Sequence, residues 1–211
     1  MKMIYFVALA LVIGVGYFVW KSSSRNAYES AAYTVVDSAG KFEIRDYPDL
    51  HLVTTQANMD AAGNDGSFMR LFRYISGGNT DQQKVAMTTP VFMDPKQNDT
   101  SGQMGFVLPK EVAQNGAPQP TGDDVQLQIR DGGQFAVMRF AGRMGLKSRT
   151  AAEKKLRSWI KQQRLEGSEQ AEFAGYDPPW IPGFLRRNEV LVRLHGVASN
   201  QSTAQAAAVP K

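Results

Sequence analysis

The segment SFMRLFRYI, residues 67–75, combines side chains that bind flat apolar molecules with cations that bind carboxylates. Its apolar residues recur at i, i+3, i+4 and i+7, which predicts one face of an amphipathic helix. These residues are Phe68, Leu71, Phe72 and Ile75. Aromatic rings can meet the face of a flat ligand while a bordering guanidinium group, such as that of Arg73, pairs with its acid groups. Burial of the same stripe in the hydrophobic core is the alternative interpretation.

The ends of this helix are also marked in the sequence. Ser67 is the predicted N-cap, and the pair Gly77-Gly78 is predicted to end the helix. Met69 and Arg73 form a second i, i+4 pair, with Arg70 beside them. The helix therefore offers both an apolar stripe and a cationic border.

A second unusual segment is YDPPWIPGFLRRNEV, residues 176–190. Pro178, Pro179 and Pro182 fix the backbone angle φ, so this loop loses little conformational entropy on ordering. Neither a buried strand nor an ordinary solvent loop needs so many prolines and aromatic rings together. The paired arginines at its end, with Glu189, predict either a ligand-facing charge or a structural ion-pair network.

Signatures of catalysis and of metal binding are missing from the sequence. The chain has no cysteine and two histidines, His51 and His195, whereas a typical zinc site needs several such ligands. It contains no G-x-S-x-G, no glycine-rich phosphate loop and no HExxH. Its carboxylates are scattered, so nothing marks a glycosidase-like pair. We therefore expect a protein that is not an enzyme.

The charge distribution argues against binding to nucleic acid. The net charge is +4, but three of the basic residues flank the N-terminal segment. Past Arg25 the chain carries 21 basic and 20 acidic side chains. Broad electrostatic binding to nucleic acid depends on a basic face, which a nearly neutral body lacks.

A second amphipathic helix is predicted from about Ser148, with Ala152, Leu156, Trp159 and Ile160 on one face. This is the most basic stretch of the chain, with Glu153 as its one acidic residue. Its cations are Lys147, Arg149, Lys154, Lys155, Arg157, Lys161 and Arg164. The pattern fits a solvated helix face, and contact with anionic lipid is the alternative.

The N-terminal region predicts a membrane anchor over residues 1–25. Residues 3–20 contain no charge, and as a helix they would span about 27 Å, close to the hydrocarbon thickness of a bilayer. A cleaved signal peptide is the alternative, with the nearest small-residue site at residues 30–32. We expect residues 26–32 to form a linker and the main domain to lie outside the cytoplasm. The polar tail, residues 197–211, is predicted to be disordered.

Alternating apolar residues predict an α+β domain over residues 33–196. The predicted strands cover residues 33–37, 42–47, 51–57, 85–93, 104–108, 125–129, 135–140 and 188–194. Pro90 predicts that the strand it occupies is bulged or lies at an edge. The expected fold is a curved, largely antiparallel sheet or distorted barrel with two helices packed on it.

A faint repeat indicates that the domain has two similar β-β-α-β halves. Phe42, Ile44 and Tyr47 recur as Phe135, Val137 and Phe140 at a constant offset. Each set precedes a predicted helix, and each helix precedes a further strand.

Several segments together resemble the SOUL heme-binding family. They are YTVVDSAGKFEIRDYP (33–48), FMRLFRYISGGN (68–79), VAMTTPV (85–91), FAVMRFAG (135–142) and GYDPPWIPGFLRRNEVLV (175–192). They span almost the whole predicted domain. The resemblance implies reversible binding of heme or a related porphyrin by a distorted antiparallel barrel or paired sheets with two helices, built from two similar halves.

The resemblance also implies where the ligand lies: in a hydrophobic groove beside the first helix, bordered by the loop before the last strand. Carried onto this sequence, the predicted binding residues are Phe68, Met69, Leu71, Phe72, Arg73, Trp180, Ile181 and Phe184. Trp180 and Phe184 would form one wall, and Arg73 would pair with a propionate. Some relatives carry lysine where this chain has Ile181, so its cationic complement is thinner. His51 is a weak candidate for an axial iron ligand, since the family does not require one.

The sequence thus predicts a membrane-anchored, non-catalytic binding protein for heme or another tetrapyrrole, acting as a carrier, buffer or sensor. The alternative is a protein-interaction module with the same fold, in which affinity for porphyrin is incidental.

Overall fold

The computed structural model describes residues 28–58, 65–95, 102–178 and 181–196. The predicted anchor, the predicted tail and Trp180 lie outside the described residues. Within those four segments, none of the helices has the length and apolar character needed to cross a membrane.

Eleven strands and three helices occur in the described residues. The strands are β1 (Glu29–Ser30), β2 (Thr34–Ala39), β3 (Phe42–Tyr47), β4 (Leu50–Ala57), β5 (Thr88–Thr89), β6 (Val91–Asp94), β7 (Gly102–Val107), β8 (Gln126–Arg130), β9 (Gly133–Ala141), β10 (Gly167–Gly175) and β11 (Arg187–Leu194). The helices are α1 (Ser67–Ile75), α2 (Lys110–Asn115) and α3 (Leu146–Gln162), and a short 3-10 helix covers Gly183–Leu185. The two predicted helices are α1 and α3. The short helix α2 is an addition that the sequence pattern does not predict.

Nine strands form one antiparallel sheet in the order β2-β3-β9-β11-β10-β6-β7-β4-β8. The short strands β1 and β5 pair in parallel beside it. The α+β class is therefore confirmed, but the barrel alternative is wrong, because β2 and β8 end the sheet without pairing to each other. Strand β2 is exposed along its length and bulged between Val35 and Asp37. A bulge in an edge strand hinders its pairing with a strand of another chain.

The strand order contains two matching halves, but they differ from the predicted repeat. One half of the sheet follows the chain order β4, α1, β6 and β7, with the short β5 before β6. The other half follows the order β9, α3, β10 and β11, so β4 corresponds to β9. The repeat instead related β3 to β9, which are paired neighbours. Phe42 pairs with Met138, whereas Phe135 pairs with Arg45, so the two phenylalanines point to opposite faces. The shared spacing is only the alternation common to half-buried strands.

Both α1 and α3 lie on the same face of the sheet. Directly paired residues in antiparallel strands point to the same side. Met138, Val190, Phe173, Met93 and Met104 are paired in succession across five strands. The core around α3 contains Met138 and Phe173, and the core around α1 contains Met104. We call this side the helix face and the other side the helix-free face.

The central strands β6 and β10 differ from what the sequence predicts. Strand β6 lies between β10 and β7, so the predicted edge position is wrong. Pro90 falls between β5 and β6, so its missing N–H interrupts neither strand. Strand β10 has the sequence GSEQAEFAG, whose polar first half does not predict a strand. Its backbone is extended because it pairs with β11 on one side and β6 on the other.

The helix-free face is buried around a fully buried arginine. Arg45 donates hydrogen bonds to both carboxylate oxygens of Glu189, at 2.7 and 2.9 Å. It also donates to Glu43 at 2.7 Å and to the hydroxyl of Tyr47 at 2.9 Å. Burial alone would lower the pKa of Arg45, but the hydrogen bonds and negative charge of Glu189 raise it above its ordinary value. The hydroxyl of Tyr176 donates to Glu189 at 2.8 Å.

A second polar cluster on the helix-free face joins three strands. Arg130 donates a hydrogen bond to Glu172 at 2.7 Å, and its guanidinium carbon lies 4.2 Å from the centroid of Phe135. The other two guanidinium nitrogens of Arg130 and one carboxylate oxygen of Asp94 are buried without a hydrogen-bond partner among the described residues. Burial raises the pKa of Asp94 to about 7, the charge of Glu172 adds to the rise, and Arg130 opposes it.

We expect Glu189→Gln to lower the free energy of unfolding by about 3 kcal/mol, because it leaves the buried Arg45 without its main counter-charge. The same change at Glu153, which forms a partly exposed pair with Arg157 at 2.8 Å, should cost less than about 1 kcal/mol. Urea denaturation of the full chain measures both. Equal losses in the two variants would show that the buried network does not govern stability.

The raised pKa of Asp94 predicts a pH dependence of stability. A folded-state pKa above the ordinary value near 4 gives stability at low pH that is lost as pH rises through about 7. The thermal midpoint should therefore fall between pH 5 and pH 8, and Asp94→Asn should reduce that fall. Asp123→Asn removes an exposed carboxylate and serves as the control. An unchanged slope in the Asp94 variant would contradict the assignment.

Candidate ligand groove on the helix face

Helix α1 is fixed at its start by Asp65. The carboxylate accepts hydrogen bonds from the backbone N–H of Asn58 at 2.6 Å and from the hydroxyl of Ser67 at 2.7 Å. Burial alone would raise the pKa of Asp65, but these hydrogen bonds lower it. The predicted N-cap at Ser67 is wrong by one residue: the cap is Gly66, whose φ of 76° lies in the left-handed region that glycine tolerates.

Arg70 is part of the structural frame and not a free cation. Its guanidinium group donates to the hydroxyl of Thr55 at 2.9 Å and to the backbone carbonyls of Gln56 and Asp65, at 2.6 and 3.1 Å. These bonds tie α1 to β4 and hold the helix in one position on the sheet.

The remaining side chains of α1 divide between core and surface. Leu71 is fully buried in the core beneath the helix, so it supports the surface and is not available at it. Phe68 is half-buried, with its ring 5.2 Å from Phe106 edge-on and 6.1 Å from Phe72 in a stacked arrangement. Met69 and Phe72 remain 57% and 43% exposed. An apolar strip of this kind on a helix is available for a ligand.

Arg73 lies at the exposed end of this strip. Its guanidinium group makes no hydrogen bond or ion pair within the described part of the chain, while its backbone carbonyl accepts the N–H of Gly78 at 2.9 Å. The helix therefore presents exposed apolar side chains next to an uncommitted cation. That combination can bind an apolar molecule that carries a carboxylate.

The loop that was predicted to form the second wall lies beside β9. Ile181 is 4% exposed, its backbone N–H donates to Pro178, and its carbonyl accepts from Arg186 at 2.9 Å. Phe184 belongs to the 3-10 helix and is 76% exposed. The main contacts of that helix are with β9, whereas those of α1 are with β4 and β7. The two predicted walls, α1 and the loop, therefore lie on different strands with the central strands of the sheet between them.

The paired arginines of the loop, Arg186 and Arg187, make separate contacts within the fold. Arg186 holds the carbonyl of Ile181, and the guanidinium carbon of Arg187 lies 3.7 Å from the centroid of the Tyr176 ring. Glu189 pairs with Arg45 and with Arg139, at 2.7 and 3.4 Å. An ion-pair network exists around Glu189, but its cations are Arg45 of β3 and Arg139 of β9 and not the paired arginines that the sequence predicted.

Two apolar side chains of the central strand β6, which the sequence pattern did not mark as binding residues, lie on the helix face between the two cores. Val91 and Met93 of β6 are half-buried, and Met93 contacts the cores of both halves. A Cβ atom at Gly175 would lie 3.3 Å from the methyl of Met93 and 3.7 Å from that of Met144. The alternation of Val91 and Met93 around Phe92 shows in the sequence that these two side chains share one face of the strand. The sequence does not show that β6 is a central strand, so it could not indicate that they form the floor of a groove.

The described part of the chain offers no preformed metal site in this region. His51 is exposed on β4, where it pairs across the strands with Ile129. The described residues contain no group of three or more histidine, aspartate or glutamate side chains arranged to hold a metal ion.

Comparisons with known proteins agree with this architecture. The family model for "SOUL heme-binding protein" matches residues 28–193. "Heme-binding protein 1" of Xenopus laevis is 31% identical over 156 residues, covering 71% of this chain and 81% of the relative. The same protein of Bos taurus is 25% identical over 126 residues, covering 57% of this chain and 65% of the relative.

Solved structures add a likeness in fold alone. The EcmrR chain in its DNA complex matches with a TM-score of 0.57 at 12% identity, over 93% of this chain and 68% of that one. An uncharacterized conserved protein from Listeria innocua matches with a TM-score of 0.54 at 10% identity, over 84% and 98%. The family match extends from β1 almost to the end of β11 and so includes α1, the central strands and the loop. The chain belongs to the SOUL heme-binding protein family.

Proposed function

We propose that this protein binds heme or a closely related tetrapyrrole on the helix face, beside α1, and that it does so without catalysing a reaction. The family and the relatives named heme-binding protein 1 support heme as the ligand. The observation that carries the location is the exposed pair Met69 and Phe72 next to the uncommitted guanidinium of Arg73.

The chemistry of this surface suits an amphipathic macrocycle. The apolar side chains would cover one face of the ring system, and removal of that surface from water would supply most of the binding free energy. Arg73 would pair with a propionate, fixing the orientation of the ring. Val91 and Met93 would form the floor, and the exposed Phe184 would border the far side.

Attachment to a membrane and placement outside the cytoplasm are part of the same proposal. They rest on the uncharged run at residues 3–20 and on the cations that flank it. Such an anchor would keep the domain near a bilayer, into which free heme partitions. A carrier, buffer or sensor of heme would benefit from that position.

Phe72→Asp should weaken hemin binding by at least about tenfold, since it replaces an exposed ring of the contact surface with a like charge to the propionates. Hemin titration of the full chain, followed by the Soret absorbance, measures the affinity. Val36→Asp is the matched control, because Val36 is also exposed but lies on β2 at the far edge of the sheet. Equal affinities in the two folded variants would place the ligand elsewhere and favour a protein-interaction surface on α1.

His51→Ala should leave both the hemin affinity and the Soret maximum unchanged, because the exposed histidine on β4 is not required as an axial ligand. Loss of an iron ligand alters the electronic spectrum directly, so absorbance spectra of the two hemin complexes are sufficient. A displaced Soret maximum in the variant would show that His51 coordinates the iron.

A further inference from the structure

A hollow of about 460 Å³ lies on the helix face between β3 and α3, in the half of the sheet away from α1. Its lining includes the half-buried Phe42 and the largely buried Trp159, whose rings are stacked with centroids 5.1 Å apart and planes inclined by 4°. The other lining residues are Ala151, Lys154, Lys155, Ser158 and Gln162. The volume falls within the range of small-molecule sites, roughly 300–1,000 Å³.

The cations of α3 separate into two groups with different roles. Arg149 is buried, with its guanidinium carbon 5.7 Å from the centroid of Phe173. Arg157 donates to Glu153 at 2.8 Å and to the backbone carbonyls of Ser168 and Glu169. These two arginines hold the helix to its surroundings. The uniform solvated face expected for this helix is therefore wrong for them.

Lys154 and Lys155 form the second group. Both are exposed at the edge of the hollow, and their ammonium groups have no hydrogen-bond or ion-pair partner within the described segments. A third ammonium group, that of Lys41, lies 5.5 Å from the centroid of Phe42. None of the described residues that line the hollow is acidic. The stacked rings are thus bordered by positive charge that nothing in the lining neutralises.

We propose that this hollow is a binding site for a planar apolar molecule that carries a carboxylate. A flat ring system can lie against the accessible part of Phe42, which the Trp159 ring supports from the core, as offset aromatic stacking favours. Its acid group would pair with Lys154 and Lys155 at the rim. The inference does not rest on the proposed function, because it uses neither α1 nor the loop.

Pyrene-1-carboxylate is a suitable probe, since its ring is planar and it absorbs where tryptophan emits. The full chain with Trp20→Phe and Trp180→Phe leaves Trp159 as the one tryptophan, so quenching of its fluorescence reports binding at the hollow. The titration is run in a non-ionic detergent, with detergent alone as the blank. The matched probe 1-pyrenemethylammonium has the same ring with the opposite charge.

Charge reversal separates the hollow from the general charge of the helix. Lys154→Glu with Lys155→Glu should weaken pyrene-1-carboxylate binding by about tenfold or more. Lys147→Glu with Lys161→Glu makes the same change in net charge on the same helix outside the hollow. That control should change the affinity by less than about twofold. Circular dichroism checks that each variant remains folded.

Saturable quenching that is at least about tenfold tighter for the carboxylate than for the ammonium probe would support the site. Three results would overturn it: no saturable quenching, equal affinity for both probes, or equal loss in the two double variants. Hemin binding that depends on Phe72 and not on Lys154 and Lys155 would leave the proposed function standing whatever the pyrene probe shows.

Discussion

The ion network centred on Arg45 is the constraint on which the rest of the sheet depends. Because α1 and α3 occupy the same face, the helix-free face has to be buried by the sheet itself and by the N-terminal segment that contributes Ala31. Arg45 is 0% exposed there, and its nitrogens are satisfied only when β3, β9 and β11 are in register. A one-residue slip of β3 would turn the guanidinium to the helix face and leave Glu189 without a counter-charge. The network therefore specifies the pairing of these strands, and removing one of its members is costly because a buried charge loses its partner.

Because the ion network lies on the helix-free face, the helix face is left available for binding. Two helices cannot cover nine strands, so apolar surface remains beside each of them. Next to α1 that surface includes Phe72 with Arg73, and next to α3 it includes Phe42 with Lys154 and Lys155. Both places combine rings with uncommitted cations, while Arg70 and Arg157 are committed to holding the helices in place. The charge of Arg45 on the helix-free face is neutralised within the fold, whereas Arg73, Lys154 and Lys155 beside the helices are free to recognise an acid.

The sequence predicted elements whose pattern is local and missed features that depend on distant partners. The stripe of Phe68, Leu71 and Ile75 correctly predicted α1, but it could not show which side chains stay at the surface, because that depends on how the helix meets β4 and β7. The alternation in FEIRDY correctly predicted β3. Yet Arg45 is more deeply buried than Phe42, since both faces of that strand are covered. Strand β10 was missed because its neighbours, and not its composition, make it a strand.

The central claim, that a tetrapyrrole binds beside α1, is tested most directly by hydrogen–deuterium exchange of the full chain with and without saturating hemin. A ligand that covers the helix suppresses its local opening, so amides in residues 67–75 should exchange more slowly in the complex, together with those in residues 181–186. Saturated hemin binding with unchanged exchange in residues 67–75 would contradict the account, and the peptides that do become protected would show where the ligand lies.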